Sequence, residues 1–164
     1  MRILVLGTGN ILLTDEAIGV HIAQALADRY ILPDYVDVMD GGTAGMELLG
    51  SMAGCDHLII TDAIVTMKSV PGTIRILRDE EVPALFTNKI SPHQLGLSDV
   101  LSALRFTGEF PAKLTLVGVV PASLEPGIGM TPLLETVVEP ALQQVLAILR
   151  ESGVEAVKKE AAHV

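Results

Sequence analysis

The chain has 164 residues, 49% of them hydrophobic and 19% charged, with 11 Lys and Arg against 20 Asp and Glu for a net charge of −9. That length suits a single domain with a core large enough to fold without disulfides, and the composition excludes a disordered chain. The acidic balance argues against nucleic acid as a partner, and the single cysteine, Cys55, excludes a disulfide framework and a cysteine-based zinc site.

Residues 2–7 (RILVLG) read as a short buried strand. Residues 15–30 carry apolar side chains at Ile18, Ile22, Ala25, Leu26 and Tyr30, the spacing of a helix. Residues 35–39 alternate as a strand that ends at Asp40-Gly41-Gly42, and 44–53 suggest a short helix. A third buried strand covers 57–61 and ends at Asp62, and 73–78 alternate as a fourth. Residues 92–105 read as a helix, 114–120 as a fifth strand and 132–150 as a long last helix. Alternation of apolar strands with helices predicts an α/β sandwich on a mostly parallel sheet. The fourth strand breaks the rule. Only Ala63 to Gly72 precede it, including Pro71-Gly72, which is too little for a crossover helix, so it is expected antiparallel at or near an edge.

The last helix starts with Thr131 as a cap and Pro132 at its first position; Pro140 should bend it and Gly153 suits its end. Residues 1–150 form the expected domain and 151–164 a tail expected to fray. No stretch reads as a targeting segment, because the apolar start is broken by Gly7, Gly9 and Asn10 and followed by two acids. No uninterrupted apolar run reaches the roughly 18 residues of a membrane span. The expected location is the cytoplasm, with Cys55 a structural thiol.

Gly7-Thr8-Gly9-Asn10 looks like half of a dinucleotide fingerprint, but Leu12 stands where the third glycine belongs. Asp15 and Glu16 at the head of the next helix would repel a pyrophosphate, so a Rossmann cofactor is rejected. With no Trp and two Tyr, flavin has little support. The glycines read as a tight turn with close backbone approach. Asp15 and Glu16 complement a helix dipole on their own. Asp62 reads equally as a turn residue or as a ligand-facing group beyond the carboxyl end of a strand. Ser91-Pro92-His93-Gln94 reads as a capped helix start, which puts His93 in the first turn, where the dipole favours the neutral imidazole that binds metals or, taken alone, bonds a local carbonyl. His21, His57 and His163 suggest no site, and the methionines read as core filling. Asp40-Gly41-Gly42-Thr43 can turn the chain, with Thr43 capping the next helix, and can also let a ligand's backbone come close. In a doubly wound sheet Glu16, Asp62 and His93 can meet at one crevice; two carboxylates and an imidazole make an open site for a borderline divalent cation.

Taken in order, these segments resemble the hydrogenase maturation proteases, endopeptidases that process the large subunit of nickel–iron hydrogenases. The residues that carry the resemblance are Gly7-Thr8-Gly9-Asn10, Leu13-Thr14-Asp15-Glu16-Ala17-Ile18-Gly19, Asp40-Gly41-Gly42-Thr43-Ala44-Gly45, Asp62-Ala63 and Ser91-Pro92-His93-Gln94-Leu95. The resemblance implies a three-layer α/β/α sandwich whose five-stranded, mostly parallel twisted sheet has one antiparallel strand. It implies nickel-binding roles for Glu16, Asp62 and His93, with nickel supplied by the substrate rather than permanently bound. It implies substrate contacts at Asp40, Gly41, Gly42 and Thr43; Asp62 and Glu16 are the candidate catalytic carboxylates. The expected partner is the hydrogenase large-subunit precursor, with no nucleic acid and no membrane. The chemistry stays open between a cation that polarises the scissile carbonyl or a water and a carboxylate acting as general base. Two rivals share these residues: a non-enzymatic nickel-binding assembly factor for the same precursor, and a free-standing metallohydrolase, which would need tight metal binding by this chain alone.

Overall fold

The computed structural model describes residues 1–66, 69–87 and 92–160, with the side chains of 87 and 92–95 outside the described set. Its strands are β1 (Ile3–Thr8), β2 (Tyr30–Ile31), β3 (Val36–Gly42), β4 (His57–Ala63), β5 (Ile74–Arg78), β6 (Lys113–Val119) and β7 (Val157–Lys158). Its α-helices are α1 (Ile18–Arg29), α2 (Leu49–Met52), α3 (Glu81–Thr87), α4 (Pro92–Thr107) and α5 (Pro132–Glu151), with 3-10 turns at Thr14–Ala17 and Met46–Leu48.

Five strands form one sheet in the order β3-β1-β4-β6-β5. The pairs β1–β3, β1–β4 and β4–β6 are parallel, and β5 runs antiparallel to β6 at the edge. The alternation of each strand sorts its side chains to two faces. Ile3, Val5, Ile59, Val117 and Val119 meet α1 and α5 in one core. Leu4, Leu6, Leu58, Ile60, Leu114 and Leu116 meet α2, α3 and α4 in the other. The central strands are therefore apolar on both sides, which is why they read as continuous hydrophobic runs. The expected α/β/α sandwich, with four parallel strands and one antiparallel, is the architecture found. From β1 the chain winds outward to β3, then crosses back to place β4 on the other side of β1. That reversal opens a crevice at the carboxyl ends of β1 and β4, where open α/β sheets bind ligands.

Several local expectations need correction. The first helix opens with a 3-10 turn, because the first amides bond to a distant loop: Thr14 N donates to Gly127 O at 3.1 Å and Asp15 N to Ser123 O at 3.1 Å. β3 continues through Gly42 rather than ending at Asp40, and β4 runs through Asp62 to Ala63. Thr43 does not cap the following turn; Gly45 holds that position, with no side-chain cap. Helix α3 was not anticipated: Val82 and Phe86, four residues apart, fill the core, and Pro83 is tolerated because it falls in the first turn, where amides have no intrahelical partner. Thr131 stands at the cap of α5, but its hydroxyl bonds to Asp15 instead of the helix. Met46 is 51% exposed rather than core filling, while Met52 is fully buried. Ser91, Met67 and His163 lie outside the described residues.

Helix α5 is long and apolar enough to cross a membrane by length and composition, but it turns eight residues into the first core. Residues 152–160 pack back on the domain. Val154 is buried, β7 pairs antiparallel with β2, and Lys159 reaches the end of α1 through its amide to Arg29 O (2.8 Å) and Nζ to Ala27 O (3.0 Å). These bonds satisfy carbonyls that the helix terminus leaves open.

Candidate active site

Two close approaches build the crevice. A Cβ on Gly19 would lie 2.2 Å from Thr61 O and 2.4 Å from Thr8 O, so α1 starts with its backbone against the ends of β1 and β4. Thr61 Oγ1 donates to Gly19 O at 2.7 Å and Thr8 Oγ1 to Thr61 O at 3.2 Å, which fixes that seat. After β1, Gly9 adopts φ +135°, and a Cβ there would fall 1.9 Å from Glu16 O and 3.6 Å from Asp62 Oδ1. The left-handed conformation and the contact both demand glycine. Gly9 makes the tight turn expected of these glycines, whereas Gly7 lies within β1 and is needed for close approach, since a Cβ there would fall 2.7 Å from Gly19 O.

Glu16 and Asp62 thus flank Gly9. Glu16 is 7% exposed and Asp62 fully buried. Asn10 N donates to Glu16 Oε1 at 3.2 Å, and Ala63 N to Asp62 Oδ1 at 2.9 Å. Asp62 is therefore an interior residue of β4 rather than a side chain open in a cleft. His93 is the second residue of α4, and its side chain lies outside the described residues. The head of α4 comes against the segment after β3, where a Cβ on Gly45 would sit 3.3 Å from Gly96 Cα. Among the described residues, no three of His, Cys, Asp and Glu form a group able to hold a metal. The donor set present is two buried carboxylates, which suits a divalent cation that brings other ligands with it.

Asp15 has a task that its sequence position does not suggest. Fully buried, it accepts from Ala122 N (2.9 Å) and Ser123 N (3.0 Å) at Oδ2 and from Thr131 N (2.7 Å) at Oδ1, and it bonds the Thr131 hydroxyl. It ties the loop 121–131 to the turn that carries Glu16. Thr14, at φ +56°, is held in that strained conformation by its amide and by its hydroxyl, which donates to Glu125 O.

Asp40, Gly42 and Thr43 form one wall of a groove of about 260 Å³, and residues 9–12 form the other. Asp40 is exposed and its Oδ1 accepts from Gly42 N at 2.9 Å. Gly41 is buried, packed against Leu6 and Leu48, and does not face the groove. Sequence reasoning missed Asn10, which supports Glu16, and Ile11 and Leu12, which are 52% and 56% exposed. An apolar pair inside a polar turn was the available signal.

Outside the crevice, Cys55 is buried and free, and burial pushes its thiol up from its ordinary value. His57 is also buried, with Nδ1 2.8 Å from Ser152 Oγ and Nε2 2.8 Å from Thr115 Oγ1. Burial, together with the charges of Lys113 and Arg78, pushes its pKa down.

The family model for hydrogenase maturation protease matches residues 20–148. The chain is 78% identical to the hydrogenase 2 maturation protease of Escherichia coli (strain K12) over 163 residues, 99% of each chain. It is 44% identical over 161 residues to the hydrogenase expression/formation protein HupM of Azotobacter chroococcum, covering 97% of this chain and 77% of that one. Among solved structures, the hydrogenase maturating endopeptidase HybD from E. coli superposes with a TM-score of 0.95 at 78% identity, covering 97% of this chain and 98% of that one. HybD from Thermococcus kodakarensis matches with a TM-score of 0.74 at 25% identity, covering 90% and 99%. A site built from the motifs that carried the resemblance, the sandwich that holds it and these likenesses agree: the chain belongs to the hydrogenase maturation protease family.

Proposed function

We propose that this peptidase removes the C-terminal extension from the nickel-loaded large-subunit precursor of a nickel–iron hydrogenase, and that nickel in the precursor is what it recognises. The observation that carries this reading is the pair of buried acids at the strand-order reversal, with Glu16 Oε1 on the amide of Asn10 and Asp62 Oδ1 beside Gly9. His93, at the head of α4, is the third ligand in this reading. Three protein ligands cannot select nickel by raw affinity, because affinity along the first-row series rises to copper and then falls at zinc. Selection then comes from the precursor, whose nickel keeps vacant positions for two carboxylates and an imidazole. The extension lies along Asp40, Gly42 and Thr43. Hydrolysis adds water across the scissile C–N bond, oxygen to the carbonyl carbon and a proton to the departing amine. Glu16 and Asp62 are the groups at hand to take a proton from water and return it. The reading makes the reaction cytoplasmic, in keeping with a single unpaired thiol.

The test mixes purified protein with precursor before and after nickel loading and follows the released peptide by intact mass. Release from the nickel-loaded form alone is expected, and free nickel given to the protease should not replace nickel in the precursor. Equal rates for the two precursor forms would overturn recognition through nickel. No release from either form would leave a non-enzymatic assembly factor.

A further inference from the structure

We propose that Ile11 and Leu12 form an apolar subsite that selects a side chain of the extension close to the scissile bond; this rests on the function proposed above. Both residues stand more than half exposed, although the loop that carries them is firmly held. Leu12 N donates to Asn10 Oδ1 at 2.9 Å, Leu13 N to Asn10 O at 3.1 Å, and Gly127 N to Leu12 O at 2.8 Å. The backbone bonds therefore keep two large apolar side chains facing water, an arrangement that costs hydrophobic free energy until something covers them.

The groove they line also includes Gly9 and Asn10, the residues that touch the two acids. Asn10, next to Ile11 in the chain, donates its amide to Glu16 Oε1, and Gly9 lies against the Glu16 backbone carbonyl and Asp62 Oδ1. An extended peptide advances about 3.3 Å per residue. A chain with its scissile carbonyl at Glu16 and Asp62 therefore brings one of the next three residues to Ile11 and Leu12. The facing wall contributes Gly42, which has no side chain, and the exposed Asp40 carboxylate. The apolar wall favours a Leu-like side chain, and Asp40 repels an acidic one. The occupant is thus an extended segment of the precursor with a bulky neutral apolar residue within three positions of the cleaved bond.

The experiment places Leu or Asp, one position at a time, at the first three residues of the extension in nickel-loaded precursor and measures KM and kcat from peptide release. The wild-type protein should prefer Leu to Asp at one position by roughly 10- to 100-fold in kcat/KM, the range expected for burying one such side chain. The doubly substituted protein, Ile11→Ser with Leu12→Ser, should lose most of that preference through KM, with kcat held. Its thermal midpoint should match the wild type, since neither side chain belongs to the cores. A wild-type protein indifferent to all three positions overturns the subsite, as does a variant with the same preference. Failure of the wild type to cleave any nickel-loaded precursor overturns the underlying function instead.

Discussion

At Asp15 both carboxylate oxygens face backbone N–H groups, Ala122 and Ser123 on one side and Thr131 on the other. An amide in its place must point its NH2 at a donor, so Asp15→Asn is not a neutral exchange despite its shape. Leaving a buried donor unmet costs about 1–3 kcal/mol. We expect the Asp15→Asn protein to unfold at lower urea, by roughly 2 kcal/mol, and an unchanged midpoint would refute the clamp. The neighbouring residues should behave otherwise. Glu16→Gln and Asp62→Asn keep volume and remove charge, so processing of nickel-loaded precursor should fall by at least about 100-fold, more than loss of an outer-shell partner causes. Their circular dichroism spectra should match the wild type, and normal peptide release by either variant would remove that residue from the site.

Helix α1 depends on the absence of a single methyl group. Gly19 rests on the carbonyls of Thr8 and Thr61, both in central strands that cannot move aside. A core forced to accept extra volume loses typically 1–3 kcal/mol, so Gly19→Ala should cost about 3 kcal/mol. It should also lift the turn carrying Glu16, so that peptide release falls even where the protein stays folded. Gly50 in α2 is the control: nothing lies within 4 Å of a Cβ there, and alanine should leave midpoint and processing intact. Equal behaviour of the two variants would mean that α1 does not need this contact. The same scale explains two features of the chain that local pattern did not reveal. Helix α3 is only one α-helical stretch of Glu81–Thr87 with a proline inside, too short for a periodic signal. The pairing of β7 with β2 joins segments from opposite ends of the sequence.

Across the whole molecule, His57 joins the amino end of the sheet to the end of α5 through Thr115 and Ser152. Its pKa is lowered in the folded protein, chiefly by burial. Above an ordinary imidazole value of about 6.5 both folded and unfolded states are neutral there, and this group's contribution is fully present. As the pH falls below that value, the unfolded chain takes up a proton that the folded one refuses, and stability drops until the folded pKa is reached. The limit for one proton is about 1.4 kcal/mol per pH unit. His57→Gln should be less stable at pH 7.5 yet lose less on going to pH 5.5. Urea midpoints at both pH values decide it, and equal acid losses in the two proteins would dismiss His57 as the cause.

Much of this was determined by the sequence alone, and the reason is local. Apolar runs at Leu58-Ile59-Ile60 and Leu114 to Val120 announce strands buried on both faces, and the short connection before β5 dictates its antiparallel course. The turn at Gly9 was equally legible, because its motif lies within a few residues. Tertiary structure alone decided the rest. Asp15 finds its partners 107 to 116 residues away, so nothing beside it in the chain distinguishes it from an ordinary helix-starting acid. Asp62 reads equally as a turn residue or a ligand-facing group, because local pattern carries no record of the pairing with β6 and the burial that enclose it. Ile11 and Leu12 stand out as an apolar pair in a polar turn, but that they face outward is decided by the bonds to Asn10 and from Gly127. Periodicity reports what a segment prefers; contacts between distant segments determine which of its side chains remain facing the crevice.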